Sequence, residues 1–232
     1  MLEKKQFENA LRENPIGFFG KKSASEISDM ICEEAGVMVG YDQRNPHHCY
    51  DLMTHTLHVV NGVPADQTNL RVAAFFHDIG KPSVAFEKQG RLVFYGHPEH
   101  SAEIAEPILK AFEYSDDDAL EILFYIRMHD MFISWVLPDE SYNKKNPYLV
   151  PITEENLKKR MRKTESKNSQ LFSKKNRRML WKNLLKLCEA DVSAQAETVI
   201  QNGRKVNGRA EKVKGIQFLQ TLADKLLDPC DL

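Results

Sequence analysis

The stretch Val72-Ala73-Ala74-Phe75-Phe76-His77-Asp78-Ile79-Gly80 ends a strongly apolar run in a His-Asp pair. Such a run belongs in a core, and a carboxylate buried there without a partner costs several kcal/mol. Any fold of this chain must therefore bring a compensating cation to Asp78, and a divalent metal fits. Gly80 and Pro82 read as terminators of the helix, with Lys81 between them. Adjacent helical residues diverge by about 100°, so His77 and Asp78 can approach one ion from two sides or serve one ion each.

All eight histidines lie between His47 and His129, a span of 83 of the 232 residues, where an even scatter would place about three. Imidazole offers a neutral ligand nitrogen and a pKa near neutrality, so this clustering points to metal binding, proton transfer or both. Leu52, His55 and Val59 share one helical stripe, which turns His55 toward the core, either as a ligand or as a histidine satisfied by a backbone carbonyl. Leu184, Leu187, Cys188 and Asp191 recur at helical spacing and place a second carboxylate on an apolar face, unless the helix rotates it outward beside Glu189.

Apolar residues recur every three or four positions over 51–60, 70–77, 104–112, 119–128, 180–199 and 216–227, so the expected fold is all-α. The segment Gly90–Gly96 alone has strand-like composition and reads as a short extended excursion or loop. Ser115 followed by Asp118 predicts a helix start, and Pro107 either kinks or restarts its helix. Turn-forming residues near 14–20, 45–46 and 138–151 suggest an N-terminal helical arm, a central bundle and a loop before the basic helices, with no boundary strong enough to split the chain into separate domains.

Residues 144–186 carry fourteen Lys/Arg against three acidic residues, although the whole chain has a net charge of −1. That block can attract phosphate-bearing partners, or be the solvated face of helices anchored by Leu157, Met161, Leu171, Leu180 and Leu184. Cys32, Cys49, Cys188 and Cys230 have no paired spacing and read as reduced thiols of a cytoplasmic protein. No apolar run is long enough to span a membrane.

Taken in order, His55, His77-Asp78 and Asp191 match an H…HD…D signature, accompanied by Phe76–Pro82, Gly96-His97, Ser101-Ala102 and Arg127-Met128-His129. On these residues the chain resembles the HD superfamily of metal-dependent phosphohydrolases, most like the HD modules of bacterial tRNA nucleotidyltransferases and related stand-alone hydrolases. The resemblance implies an HD-type helical bundle over residues 47–195, between an N-terminal helical arm (1–46) and a C-terminal helical extension (196–232), and a metal set of His55, His77, Asp78 and Asp191. His97 and His129 lie where members holding two ions carry additional histidines; the alternative for either is a supporting or substrate contact. No Gly-rich strand with paired carboxylates precedes the HD region, so nucleotide polymerisation is not expected of these residues.

Nitrogen and carboxylate donors without thiolate suit manganese, iron, cobalt, nickel or zinc, with magnesium also a candidate, bound as one or two ions. The expected activity is hydrolysis of a phosphomonoester or cyclic phosphodiester, of a nucleotide or RNA end, by metal-activated water. Asp78 would hold metal and orient the water, Lys81 would neutralise a phosphate oxygen or cap helix carbonyls, and His100 would add a phosphate contact. His58 is expected in the core or behind the ligands, and His47 and His48 in a loop near the entrance. The alternatives are an RNA- or nucleotide-binding module working through the basic block, and a helical protein with a metal-stapled core. The expected partner is a phosphate-containing small molecule or nucleotide, with RNA a further candidate and no membrane.

Overall fold

The apolar runs form helices, and the most apolar of them, α6 (Thr68–Phe76), is buried on all sides from Leu70 to Phe76. A helix without a polar face must sit in the middle of a bundle. The structure, a computed structural model, describes residues 1–138, 146–201, 204–206 and 208–227. Four short helices come first: α1 (Lys4–Glu13), α2 (Pro15–Phe19), α3 (Ala24–Met30) and α4 (Glu33–Val37). Then follow α5 (Leu52–Gly62), α6 and α7 (Lys81–Val84). The longer helices are α8 (His97–Ala111), α9 (Asp116–Met128), α10 (Glu154–Lys167), α12 (Arg177–Ser193) and α13 (Arg209–Leu226), with the short α11 (Ser169–Lys174) before α12. Helix α6 packs against α1, α5, α8, α9 and α12, and α12 is covered by α5 and α13. No helix among the described residues is long and apolar enough to cross a membrane.

Local capping sets where the helices start. Asp51, Ser115, Thr153 and Asn176 each accept a hydrogen bond from the backbone N–H three residues on, at the starts of α5, α9, α10 and α12. Helix α8 begins earlier than its periodicity predicts and runs unbroken through Pro107. That proline lies on the exposed face, where water can serve the carbonyl of Glu103 that it leaves unpaired. Gly80 acts by size rather than by conformation. Its φ of −81° is ordinary, but a Cβ there would meet the backbone nitrogen of Ser101 at 2.6 Å. Its N–H donates to Ser101 Oγ at 2.9 Å, so the missing side chain lets α8 close against the end of α6.

Two regions differ from the sequence reading. The strand-like segment is half of a hairpin, with β1 (Phe86–Lys88) antiparallel to β2 (Arg91–Val93). Gln89 and Gly90 have φ of 54° and 77°, the positive values that a two-residue hairpin turn needs. The chain after α12 is also not helical throughout: β5 (Val199–Gln201) pairs with β6 (Arg204–Val206) before α13. Val199 is buried without being helical, so its place in the apolar period overstated the helix. A parallel contact, β3 (Trp135–Val136) with β4 (Val150–Pro151), completes the pairs, and every described sheet has only two strands. The all-α class holds.

The basic segment is anchored through Leu157, Met161, Leu171, Leu180 and Leu184, all buried. Many of its cations face acids of this same chain: Lys174 lies 2.8 Å from Asp117, Lys175 3.2 Å from Glu121, Arg177 2.7 Å from Glu165 and Lys182 2.7 Å from Asp224. Lys144, Lys145 and Cys230 lie outside the described residues.

Phe7 ties the N-terminal helices to the bundle, fully buried among the rings of Phe19, Phe75, Phe76 and Phe112. Phe7→Ala is expected to lower the unfolding free energy by about 3–5 kcal/mol, read by urea denaturation. Lys174→Ala, at an exposed ion pair, is expected to change it by less than about 1 kcal/mol.

Candidate metal centre

Helix ends converge on one point. His77 and Asp78 follow the last turn of α6, His97 opens α8, and His129 follows α9, while His55 and Asp191 project from α5 and α12. All six are buried. His55 Nε2 lies 3.0 Å from Asp191 Oδ1 and 3.7 Å from Asp78 Oδ2. His77 Nε2 is 3.2 Å from Asp78 Oδ2, and His97 and His129 Nε2 are 3.1 and 3.5 Å from Asp78 Oδ1. The residues singled out at 55, 77, 78, 97, 129 and 191 therefore meet in space.

Backbone carbonyls orient each ring. His77 Nδ1 lies 2.7 Å from the carbonyl of Ala74, His97 Nδ1 2.8 Å from that of Phe94, and His129 Nδ1 2.7 Å from that of Ile126. Each partner is three residues earlier in the chain. His55 Nδ1 instead reaches the carbonyl of Ala194 at 3.4 Å, just past Asp191. A carbonyl only accepts, so each Nδ1 carries the proton and donates it, leaving Nε2 as the ligand atom. His55 Nε2, His77 Nε2 and both Asp78 oxygens are buried and make no hydrogen bond among the described residues. His97 Nε2 and His129 Nε2 face each other at 3.1 Å, an approach that requires a proton or a cation between two lone pairs. Three overlapping groups have donor atoms within 4.8 Å of one another: His55, His77 and Asp191; His77, Asp78 and His129; His97, His129 and Asp130. These buried, bare nitrogen and oxygen atoms fit a divalent cation.

Asp130 was not singled out in the sequence. Its oxygens lie 3.5 Å from His97 Nε2 and 3.7 Å from His129 Nε2. The available signal was a second His-Asp dipeptide, His129-Asp130. Gln43 had none, since it sits in a loop without periodicity, yet it is buried and accepts a hydrogen bond from Lys81 at 3.0 Å. Lys81 itself is buried, with its ammonium 2.6 Å from Asp78 Oδ2, off the direction of a hydrogen bond. It starts α7 rather than capping α6.

The other histidines are placed as follows. His48 lines the opening above Asp78, its ring edge-on to His55, and His47 lies 3.2 Å from Lys212. His58 stacks on Tyr50, half-exposed and away from the cluster, so its position behind the ligands is not what the fold gives it. His100 lies outside the cleft lining and is held by Glu103 at 3.0 Å, one turn further along the surface of α8. The cleft over the cluster has a volume of about 340 Å³ and is walled by Asn45, His48, Lys81, Arg91, Tyr95 and Gln195.

The electrostatics favour ionised acids and a basic imidazole. Burial would raise Asp78, but the positive charge packed against it, with the Lys81 ammonium at 2.6 Å, holds it well below the usual carboxylate range. Asp191 is lowered as well, His55 outweighing its burial. Burial keeps His77 neutral, whereas at His129 the charges of Asp130 and Asp78 overcome burial and push its pKa up to about 9. The metal-free protein at pH 7 thus holds a proton on His129 that a cation must displace. Apparent affinity for Mn²⁺ is expected to rise about tenfold per pH unit between pH 7 and 9 and to level off above. Titration calorimetry at pH 7.5 in two buffers of different ionisation enthalpy should show about one proton released per chain when the cluster fills; zero release would contradict this ionisation.

Residues 25–192 match the HD domain family. A CC-adding tRNA nucleotidyltransferase of Thermus thermophilus is 33% identical over 124 residues, which cover 50% of this chain and 28% of that relative. The aligned part is thus well under a third of the relative's length. No solved structure gives a significant match. With most of its length matched and the His and Asp residues of the signature gathered at one buried point, this chain belongs to the HD domain family, of the metal-dependent phosphohydrolase superfamily.

Proposed function

We propose that the protein hydrolyses a phosphomonoester or a cyclic phosphodiester of a nucleotide or RNA end. One observation carries this reading: four imidazoles, each held by a carbonyl at Nδ1, turn their Nε2 atoms toward an ionised, buried Asp78. His55, His77, Asp78 and Asp191 hold one divalent ion. His97 and His129, with Asp78 and Asp130 beside them, would hold a second. Such a cation polarises the phosphoryl group and makes water nucleophilic near neutral pH. Asp78 also orients the attacking water, and Lys81, in the cleft wall, neutralises a non-bridging phosphate oxygen. His100 has no part in this scheme.

In this reading residues 47–195 form the catalytic core and residues 1–46 brace it, and within the extension 196–232 helix α13 covers α12. Cys32, Cys49 and Cys188 are free thiols, which supports a cytoplasmic setting. The basic segment is not assigned the central work, because its cations from Lys174 to Lys182 face acids of this chain and none of its described residues lines the cleft.

Purified protein should release phosphate from 2′,3′-cyclic nucleotides or p-nitrophenyl phosphate only with added divalent metal. Asp78→Asn is expected to lower kcat by at least about 100-fold with an unchanged circular-dichroism spectrum, and undiminished turnover would refute the site. Lys81→Met is expected to lower kcat/KM by at least about tenfold. Activity at limiting metal should fall as the pH drops below about 9, because protons compete with the metal for the ligand imidazoles. Reversing Lys174, Lys175, Arg177 and Arg178 together should lower the melting temperature and leave turnover of small substrates unchanged; abolished turnover would return the basic segment to the mechanism.

A further inference from the structure

The β1–β2 hairpin forms the outer wall of the cleft and carries aromatic rings that the core does not use. Tyr95 lines the same cleft as Asp78 and His97 and is 65% exposed. Phe86 is 47% exposed and packs on the Tyr95 ring with centroids 5.6 Å apart. Most large aromatic side chains of this protein are buried, so a supported but open ring at a cleft mouth is available for a ligand. Two cations stand near this ring on the hairpin side of the cleft, across from the acids of the cluster. Lys88 Nζ stands 5.6 Å from the Tyr95 centroid, and Arg91, also in the cleft wall, has no acidic partner among the described residues. The hairpin is anchored at the other end, where Arg44 pairs with Glu87 at 3.2 Å and its carbonyl accepts the Leu92 N–H.

The backbone explains why ring and metal-site histidine face the same space. Gly96, at φ 80°, reverses the chain between Tyr95 and His97, leaving Tyr95 at the mouth while His97 Nε2 reaches 3.1 Å from Asp78. Two residues separate their Cα atoms by at most about 7 Å, and a cleft of about 340 Å³ is of small-ligand size. One molecule can therefore lie with one end on the ring and the other on the cluster.

Resting on the proposed phosphate chemistry of that cluster, the geometry points to a nucleobase subsite. Tyr95, backed by Phe86, stacks the base of a nucleotide whose phosphate lies over Asp78, and Arg91 and Lys88 attract its negative charge. An aromatic face flanked by cations accepts any base, since every base has a π-face. Selectivity would therefore fall between nucleotides and base-free sugar phosphates rather than among the four bases. The base comes from a free mononucleotide or from the end of an RNA strand.

Titration calorimetry with Mn²⁺ present would compare adenosine 5′-monophosphate with ribose 5-phosphate, which has the same phosphate and sugar but no base. Wild-type protein is expected to bind the nucleotide about tenfold more tightly. Tyr95→Ala should abolish that preference without changing affinity for ribose 5-phosphate, and Tyr95→Phe should keep it. Equal binding of the two probes, no binding of either at millimolar concentration, or a preference that survives Tyr95→Ala would each overturn the subsite. A Tyr95-dependent gain on passing from the mononucleotide to a triadenylate would name the RNA end as source, and the absence of that gain the free nucleotide. The readout is binding, so it stands apart from catalysis: loss of metal-dependent phosphate release would sink the hydrolase reading while leaving this result to be judged by itself.

Discussion

The ionised carboxylate of Asp78, 1% exposed at the end of the most apolar helix, is the constraint around which the bundle is arranged. Such a charge is tolerated only if positive charge surrounds it. Lys81 and protonated His129 supply it in the metal-free protein. A divalent ion would supply more, and would take the place of the proton that His97 and His129 share. The site thus stores a polar mismatch that apolar packing elsewhere compensates, with Phe7, Phe75, Phe76 and Trp181 fully buried in the same core.

Helix termini solve a second problem. An imidazole is a directed metal ligand only if its tautomer is set, and the last carbonyls of a helix lack intrahelical partners. Placing histidine just after a helix meets both needs at once: Ala74 orients His77 after α6, and Ile126 orients His129 after α9. Phe94 does the same for His97 through the turn before α8. Gly80 then allows α8 to approach α6 closely enough for these rings to meet over one carboxylate.

Charge that looks alike in sequence has different uses in the fold. The fourteen Lys/Arg of residues 144–186 dominate that segment's composition, yet Lys174, Lys175 and Lys182 lie against acids from distant positions and Arg177 against Glu165 of the same segment. Arg91 draws no attention in the chain, but it stands in the wall of the cleft without an acidic partner among the described residues. Pairing decides which cations remain for a phosphate, and pairing is a tertiary property.

The helical class, the buried position of His77-Asp78 and the inward stripes bearing His55 and Asp191 were legible because each follows from local periodicity and the cost of burying charge. The three-residue step from carbonyl to imidazole at His77, His97 and His129 is local too, though visible only once the helix ends are placed. Asp130, Gln43 and the β1–β2 hairpin were not legible in the same way. Their roles depend on loops folding back over the cluster, and loops carry no hydrophobic period. Sequence alone determined which side chains had to be hidden from water. The tertiary structure decided which of them meet, because the 3.0 Å approach of His55 to Asp191 closes a separation of more than a hundred residues that only the packing of α5 on α12 can bridge.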